Sequence, residues 1–215
     1  LVNSLKKEAA EDLKIKNKTW LVGEHKDILS IFFFLFAGML LAYVTWYIML
    51  PKELTNSVFN EQIRTIKAIN TNVAGRVTRP DLLKIIIMNN FKVLFFCLLF
   101  SLIYGSGAIF ILTWNASVLG TAIGNAIKIN LSDIWSYFSA VPLGFGRYML
   151  HGIPEIIAYF LAGIAGGIIS AGIIRHRTKS KKFKEVLLDS LDLILLASVL
   201  IIIASIIEVY VSIQM

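Results

Sequence analysis

Hydrophobic positions dominate the chain and gather into long runs separated by short polar segments. Residues 28–50 (ILSIFFFLFAGMLLAYVTWYIML) hold no charged side chain, carry Trp46 and Tyr47 near their far end and stop at Pro51. That pattern predicts a first membrane span, because about 20 apolar residues cross a bilayer core and aromatic side chains favour its interface. Residues 89–113 predict a second span, opened by Asn89, Asn90 and Lys92. Its Ser101, Gly105 and Gly107 are small positions that allow close packing or a kink. Two further runs, 153–174 and 186–213, predict spans of the same kind.

Residues 114–150 are less regular. WNASVLGTAIGNAIKI is short for a full crossing but places Gly120 and Gly124 at small-xxx-small spacing, and IWSYFSAVPLGFGRYML is interrupted by Pro142, Gly144 and Gly146. Two arrangements fit: a third span over about 114–131 followed by an interfacial helix, or a re-entrant element lining a cavity.

The stretch from His151 to Ile174 organises the rest. At 100° per residue, Glu155, Ala158, Ala162, Ala165, Gly166 and Ile169 share one face, with Ile157, Phe160, Leu161, Ile164 and Ile168 opposite. Ala158, Ala162, Gly163, Gly166 and Gly167, together with Gly120 and Gly124, are therefore candidate helix-packing residues, and the bulky face is expected to meet acyl chains. Such stripes also allow self-association. In the last run Ser198, Ser205 and Ser212 recur every seven residues and, with Ala197, Ala204 and Glu208, form a second stripe suited to the fourth span. The fold class that follows is all-α: a polytopic transmembrane bundle of about five spans with a partly helical polar loop, the fourth span central.

The polar segments set the orientation. Residues 1–26 hold six Lys among four acidic residues; LKKEAAEDLKIKNKTW fits an amphipathic surface helix with Leu5, Leu13 and Trp20 toward lipid, or a disordered tail. Residues 27–215 then form a single transmembrane domain. Within it, the 52–88 loop contains NEQIRTIKAINTNVAG, which predicts a helix ended by Gly75, and Thr78, Arg79, Pro80 and Asp81 look like the start of the next. Residues 175–185 hold six Lys/Arg in eleven positions. Four crossings separate this segment from the basic N-terminal one, so both are placed in the cytoplasm and the C-terminus outside. The six Lys/Arg of 52–88 run against that rule unless the chain returns to the same side after the first span. The first run is too long for a signal-peptide core and lacks a small-residue cleavage site, so it reads as a retained span of a multi-pass cell-membrane protein.

Composition confirms the solvent. At 215 residues a soluble chain would form one or two domains, but hydrophobic residues are 57% and charged ones 16%, with a mean hydropathy of +0.73. The net charge of +7 sits in the flanking segments, where it serves topology and anionic lipids rather than nucleic acid. Cys97 lies alone in an apolar run and reads as a small buried hydrophobe.

No nucleophile elbow, phosphate loop, metalloprotease motif or nucleotide fingerprint is present, so neither an enzyme nor a cofactor is expected. Candidate chemistry narrows to Arg147, His151, Glu155 and Glu208, which the topology gathers near one membrane face; ionisable groups inside a membrane are functional candidates by default. In one reading His151 and Glu155 form a proton- or cation-responsive pair. In the other the helix starts at Pro154, Glu155 caps its N-terminus or pairs with Arg147, and Glu208 snorkels to the interface. A metal site built from His151, Glu155 and Glu208 has no supporting ligand spacing, so no metal is expected.

Asn89 and Asn90 before a Gly-containing span, then Asn115 with Gly120, then HGIPE running into AGIAGG, together resemble the stage II sporulation protein M family of integral membrane proteins. The resemblance covers roughly 28–213 and is sharpest at His151–Glu155 and Ala162–Gly167. It implies a membrane-bound organiser, since in sporulating bacteria the family acts in engulfment with cell-wall hydrolases. The Lys/Ile/Asn-rich composition resembles that of an archaeal member, to which a peptidoglycan role would not transfer. Two functions are carried forward. The first is a non-enzymatic scaffold whose partners are membrane lipids and other membrane proteins or a second copy of itself. The second is a small transporter or channel with its site near Arg147, His151 and Glu155.

Overall fold

The computed structural model describes residues 25–74, 78–130, 134–175 and 180–211, with the side chains of 69–74 and 130–149 left out. Among the described residues there are seven helices: α1 (Lys26–Met49), α2 (Lys52–Val58), α3 (Asn60–Ala74), α4 (Arg79–Tyr104), α5 (Ala108–Asn130), α6 (Ile134–Arg175) and α7 (Lys181–Tyr210). Five of them contain a stretch long and apolar enough to cross a membrane: α1, α4, α5, the Leu150–Arg175 part of α6, and α7. The chain is thus an all-α bundle, and the five crossings alternate in direction. Gly120 and Gly124 of α5 meet Tyr43 and Tyr47 of α1 in parallel order, whereas Leu82 and Ile86 at the start of α4 pack on Val209 at the end of α7. The beginning of α1 and the α6–α7 junction consequently lie at one end of the bundle. The α2–α3 segment lies at the other.

The span limits differ from the sequence pattern for local reasons. α4 starts ten residues before the expected 89 because its first turns are amphipathic: Leu82 and Ile86 are buried, while Arg79 and Lys84 stay exposed. Thr78, in an extended conformation, precedes it, and Pro80 occupies its first turn, where a missing N–H costs nothing. The expected second span, 89–113, is cut in the middle. Gly105 adopts φ +73°, a left-handed conformation that a side chain disfavours, so the chain turns there and α5 begins at Ala108. Ser101 seals the corner by accepting a hydrogen bond from the Ala108 amide at 3.0 Å. The third span therefore covers 108–129 rather than 114–131. α7 begins at Lys181 rather than 186 because the Ser180 hydroxyl accepts the Phe183 amide at 3.2 Å and caps it. The N-terminal segment, where a surface helix or a tail is expected, and Gly75 lie outside the described residues.

α6 occupies the centre of the bundle, packing on α4 and α7 and also on α5. Its buried surface corrects one expectation. Phe160, Leu161, Ile164 and Ile168 are as fully buried as Ala158, Ala162 and Ala165, so the bulky face meets other helices rather than acyl chains, and only Ile157 is left exposed. Phe160 stacks on Phe32 at 5.6 Å and meets Phe36 edge-on at 6.0 Å. A helix with neighbours all round buries both faces.

The small residues set how closely the helices approach. A methyl added at Gly163 would stand 2.8 Å from Ala108 Cβ, one at Gly166 would meet the Leu98 carbonyl, and one at Gly172 would stand 2.9 Å from Val186 Cγ1. Gly167 is also buried. Ala197, Ala204 and Ser205 of α7 are buried in the same core.

Candidate intramembrane cavity

α6 runs without interruption from 134 through 175. The reading in which a helix starts at Pro154 is therefore corrected: Pro154 is interior, and its missing N–H leaves the Leu150 carbonyl without its helical donor. With the helix continuous, His151 and Glu155 are one turn apart on one face. Arg147 lies on the same helix one turn earlier, its side chain outside the described set.

His151, Glu155 and Glu208 line one cavity of about 220 Å³. Its other polar walls are Asn89 and Asn90 of α4, Asn115 of α5 and Tyr159 of α6, and Phe36 and Ile66 supply apolar ones. The Tyr159 hydroxyl donates to Glu155 Oε1 at 2.5 Å. Asn90 is buried and donates to Ser205 Oγ at 3.5 Å, while Asn89 donates to Asn90 Oδ1 at 3.5 Å. Asn115 donates to the Ile111 carbonyl at 2.8 Å, which orients its amide along its own helix. Glu208, on the last turn of α7, is half-buried beside this group. Among the described residues no three His, Cys, Asp or Glu side chains come together as a metal site.

A second cavity of about 490 Å³ lies between α1, α3 and α5, walled by Tyr47, Lys67, Thr121 and Asn125 among others. Tyr47 donates to Asn125 Oδ1 at 3.1 Å. Beside it, Lys128 Nζ donates to the carbonyls of Tyr47 (3.1 Å) and Leu50 (2.7 Å) and to Thr55 Oγ1 (3.1 Å), and sits 5.6 Å from the Tyr47 ring centre. A cation on the last carbonyls of a helix is well placed against its dipole.

The Stage II sporulation protein M family matches residues 30–213. The chain belongs to that family. Membership makes this stage II sporulation protein M relative an integral membrane protein of a group that is not a known enzyme family, and the five apolar helices make it multi-pass. No curated protein and no solved structure matches it.

The ionisable part of the cavity was visible in the sequence because charge in an apolar run stands out. Asn89 and Asn90 stand out in the sequence only as a polar span entry and, with Asn115, as marks of the family, and Tyr159 does not stand out. The signal for them was available: each is a hydrogen-bonding side chain inside an apolar helix, on the same turns that face Glu155.

Proposed function

We propose that this protein binds a small cation in the cavity between α4, α6 and α7 and passes it across the cell membrane, with the N-terminus and residues 175–185 in the cytoplasm. The observation that carries this reading is the meeting of Glu155 and Glu208 from two different helices in one polar cavity within the spans. An acidic group within a membrane span is costly and is usually found facing a pathway or a partner. Two carboxylates, a histidine and three amides offer oxygen ligands and a proton acceptor. The volume, about 220 Å³, is below the roughly 300–1,000 Å³ of sites for drug-sized ligands, so the occupant is small. The test is proton and monovalent-cation flux into liposomes holding the purified protein, with Glu155→Gln alongside. Flux in the wild type that is lost in the variant supports the reading; wild-type flux no greater than that of empty liposomes sinks it.

Family membership favours a second reading, a non-enzymatic membrane scaffold that gathers other membrane proteins or a second copy of itself. Its partners would engage 52–88 or the basic 175–185 segment. It predicts that Glu155→Gln leaves partner capture intact while deletions in those segments abolish it.

A further inference from the structure

The two cavities are neighbours and share part of one wall. Among the described residues, Ile66 of α3 and Ala122 of α5 line both, and no other residue does. On the outer side of this pair stand Tyr47, Asn56, Lys67 and Asn125; on the inner side stand Asn115, Glu155 and Glu208. α3 is held against α5 by position rather than by chance. Phe59, buried just before its first turn, packs on Tyr47 at 5.2 Å and Tyr43 at 6.5 Å. One turn into α3, Gln62 donates to Ser117 Oγ at 3.2 Å. Ile66 follows Gln62 by another turn. Ala122 is small, so Ile66 is the bulkier of the two residues that the cavities share.

We infer that the two cavities are successive sections of one path, from the bundle end where α1 finishes to the acidic pocket, and that Ile66 on α3 is the apolar gate between them. The inference rests on the transport reading for its purpose. Apolar constrictions gate by excluding water, so a single branched side chain at a narrow point suffices to close a polar path. Charge changes sign at the gate, with Lys67 outside and the carboxylates inside. Lys67 is exposed, and a charge in contact with solvent is screened within about 8 Å at physiological salt, so it does not bar a cation from the outer cavity.

The test uses full-length protein in liposomes, with Cys97→Ala to remove the native thiol. Asn115→Cys reports on the inner cavity and Asn125→Cys on the outer one, and each is read by its rate of modification with a small cationic methanethiosulfonate. If the open state is a minor one of a few per cent, Ile66→Ala speeds modification of Asn115→Cys about tenfold or more. Ile66→Trp slows it, and the rate at Asn125→Cys stays the same in both. Equal rates at Asn115→Cys across the Ile66 variants would overturn the gate, as would parallel changes at both reporters. Because labelling needs no flux, absence of transport would remove the proposed function and leave the gate standing, whereas unchanged labelling with intact flux would remove the gate alone.

Discussion

At the scale of single residues, the Tyr159–Glu155 contact is the strongest directed interaction in the inner cavity. Its donor is a buried hydroxyl and its acceptor a carboxyl oxygen, 2.5 Å apart. Removing one partner of such a pair exposes the other to an unsatisfied environment, at a cost of about 1–3 kcal/mol. Tyr159→Phe is thus expected to lower the thermal midpoint of the purified protein by that amount of stability. In the Glu155→Leu background, which has no acceptor, the same change should cost measurably less, since the two side chains share one interaction. Additive losses in the double variant would show that the contact contributes nothing. Lys128 has a different role. It joins the end of α1 to Thr55 of α2 through three oxygens, and Lys128→Met, which keeps the stem and deletes the donors, should destabilise by about 1–3 kcal/mol without altering cation selectivity. A change of selectivity would place Lys128 on the conduction path instead.

At the scale of elements, how legible each helix was depended on whether its limits are set by its own sequence. The first span is plain because nothing in residues 28–50 is charged and Pro51 forces Leu50 into an extended conformation. The helix start at Thr78 to Asp81 is legible and holds, but the apolar run alone places the second span about ten residues late, and the Gly105 turn looks like a kink within one helix. Both errors come from tertiary context: the first turns are held by Val209, and the turn by Ser101. The 134–150 stretch joins α6 as continuous helix despite Pro142 and the glycines, because proline in a helix removes one bond and neighbouring turns carry on. The spacing of α3 predicts a helix, but its docking on α5 depends on Gln62 meeting Ser117 across 55 residues, which no local pattern encodes. The α1–α5 contact offers a direct test. A methyl at Gly120 would stand 2.7 Å from Tyr43 Cβ, so Gly120→Leu should force the helices apart and cost at least the roughly 1–3 kcal/mol of an overpacked core. The thermal midpoint of Gly120→Leu reports it, and an unchanged value would mean that α1 is free to shift.

At the scale of the whole molecule, the bundle is uneven along its axis. The end near α2 and α3 holds both cavities, and toward the other end Gly163, Gly166 and Gly172 of α6 sit in close helix contact. That unevenness decides how the small-residue stripes are used. Gly163 faces Ala108, Gly166 faces Leu98 and Ser101, and Gly172 faces Val186, so all three contacts fall within one chain. In membranes small residues bring helices together whether the partner is in the same chain or another, and the sequence pattern is the same in both cases; only the packing distinguishes them. A homo-oligomer of this protein would have to form through its bulky outer surface, where Phe33, Phe34, Phe95 and Phe110 are exposed. Gly166→Ala separates the two uses. The added methyl meets the Leu98 carbonyl and should destabilise the folded chain by about 1–3 kcal/mol, seen as a lower thermal midpoint in detergent. The mass of the protein particle by native mass spectrometry should equal that of the wild type, whatever that mass is. If Gly166→Ala instead lowered the particle mass and left the midpoint in place, the stripe would be a seam between copies, and the central position of α6 would have to serve assembly rather than enclose the cavity.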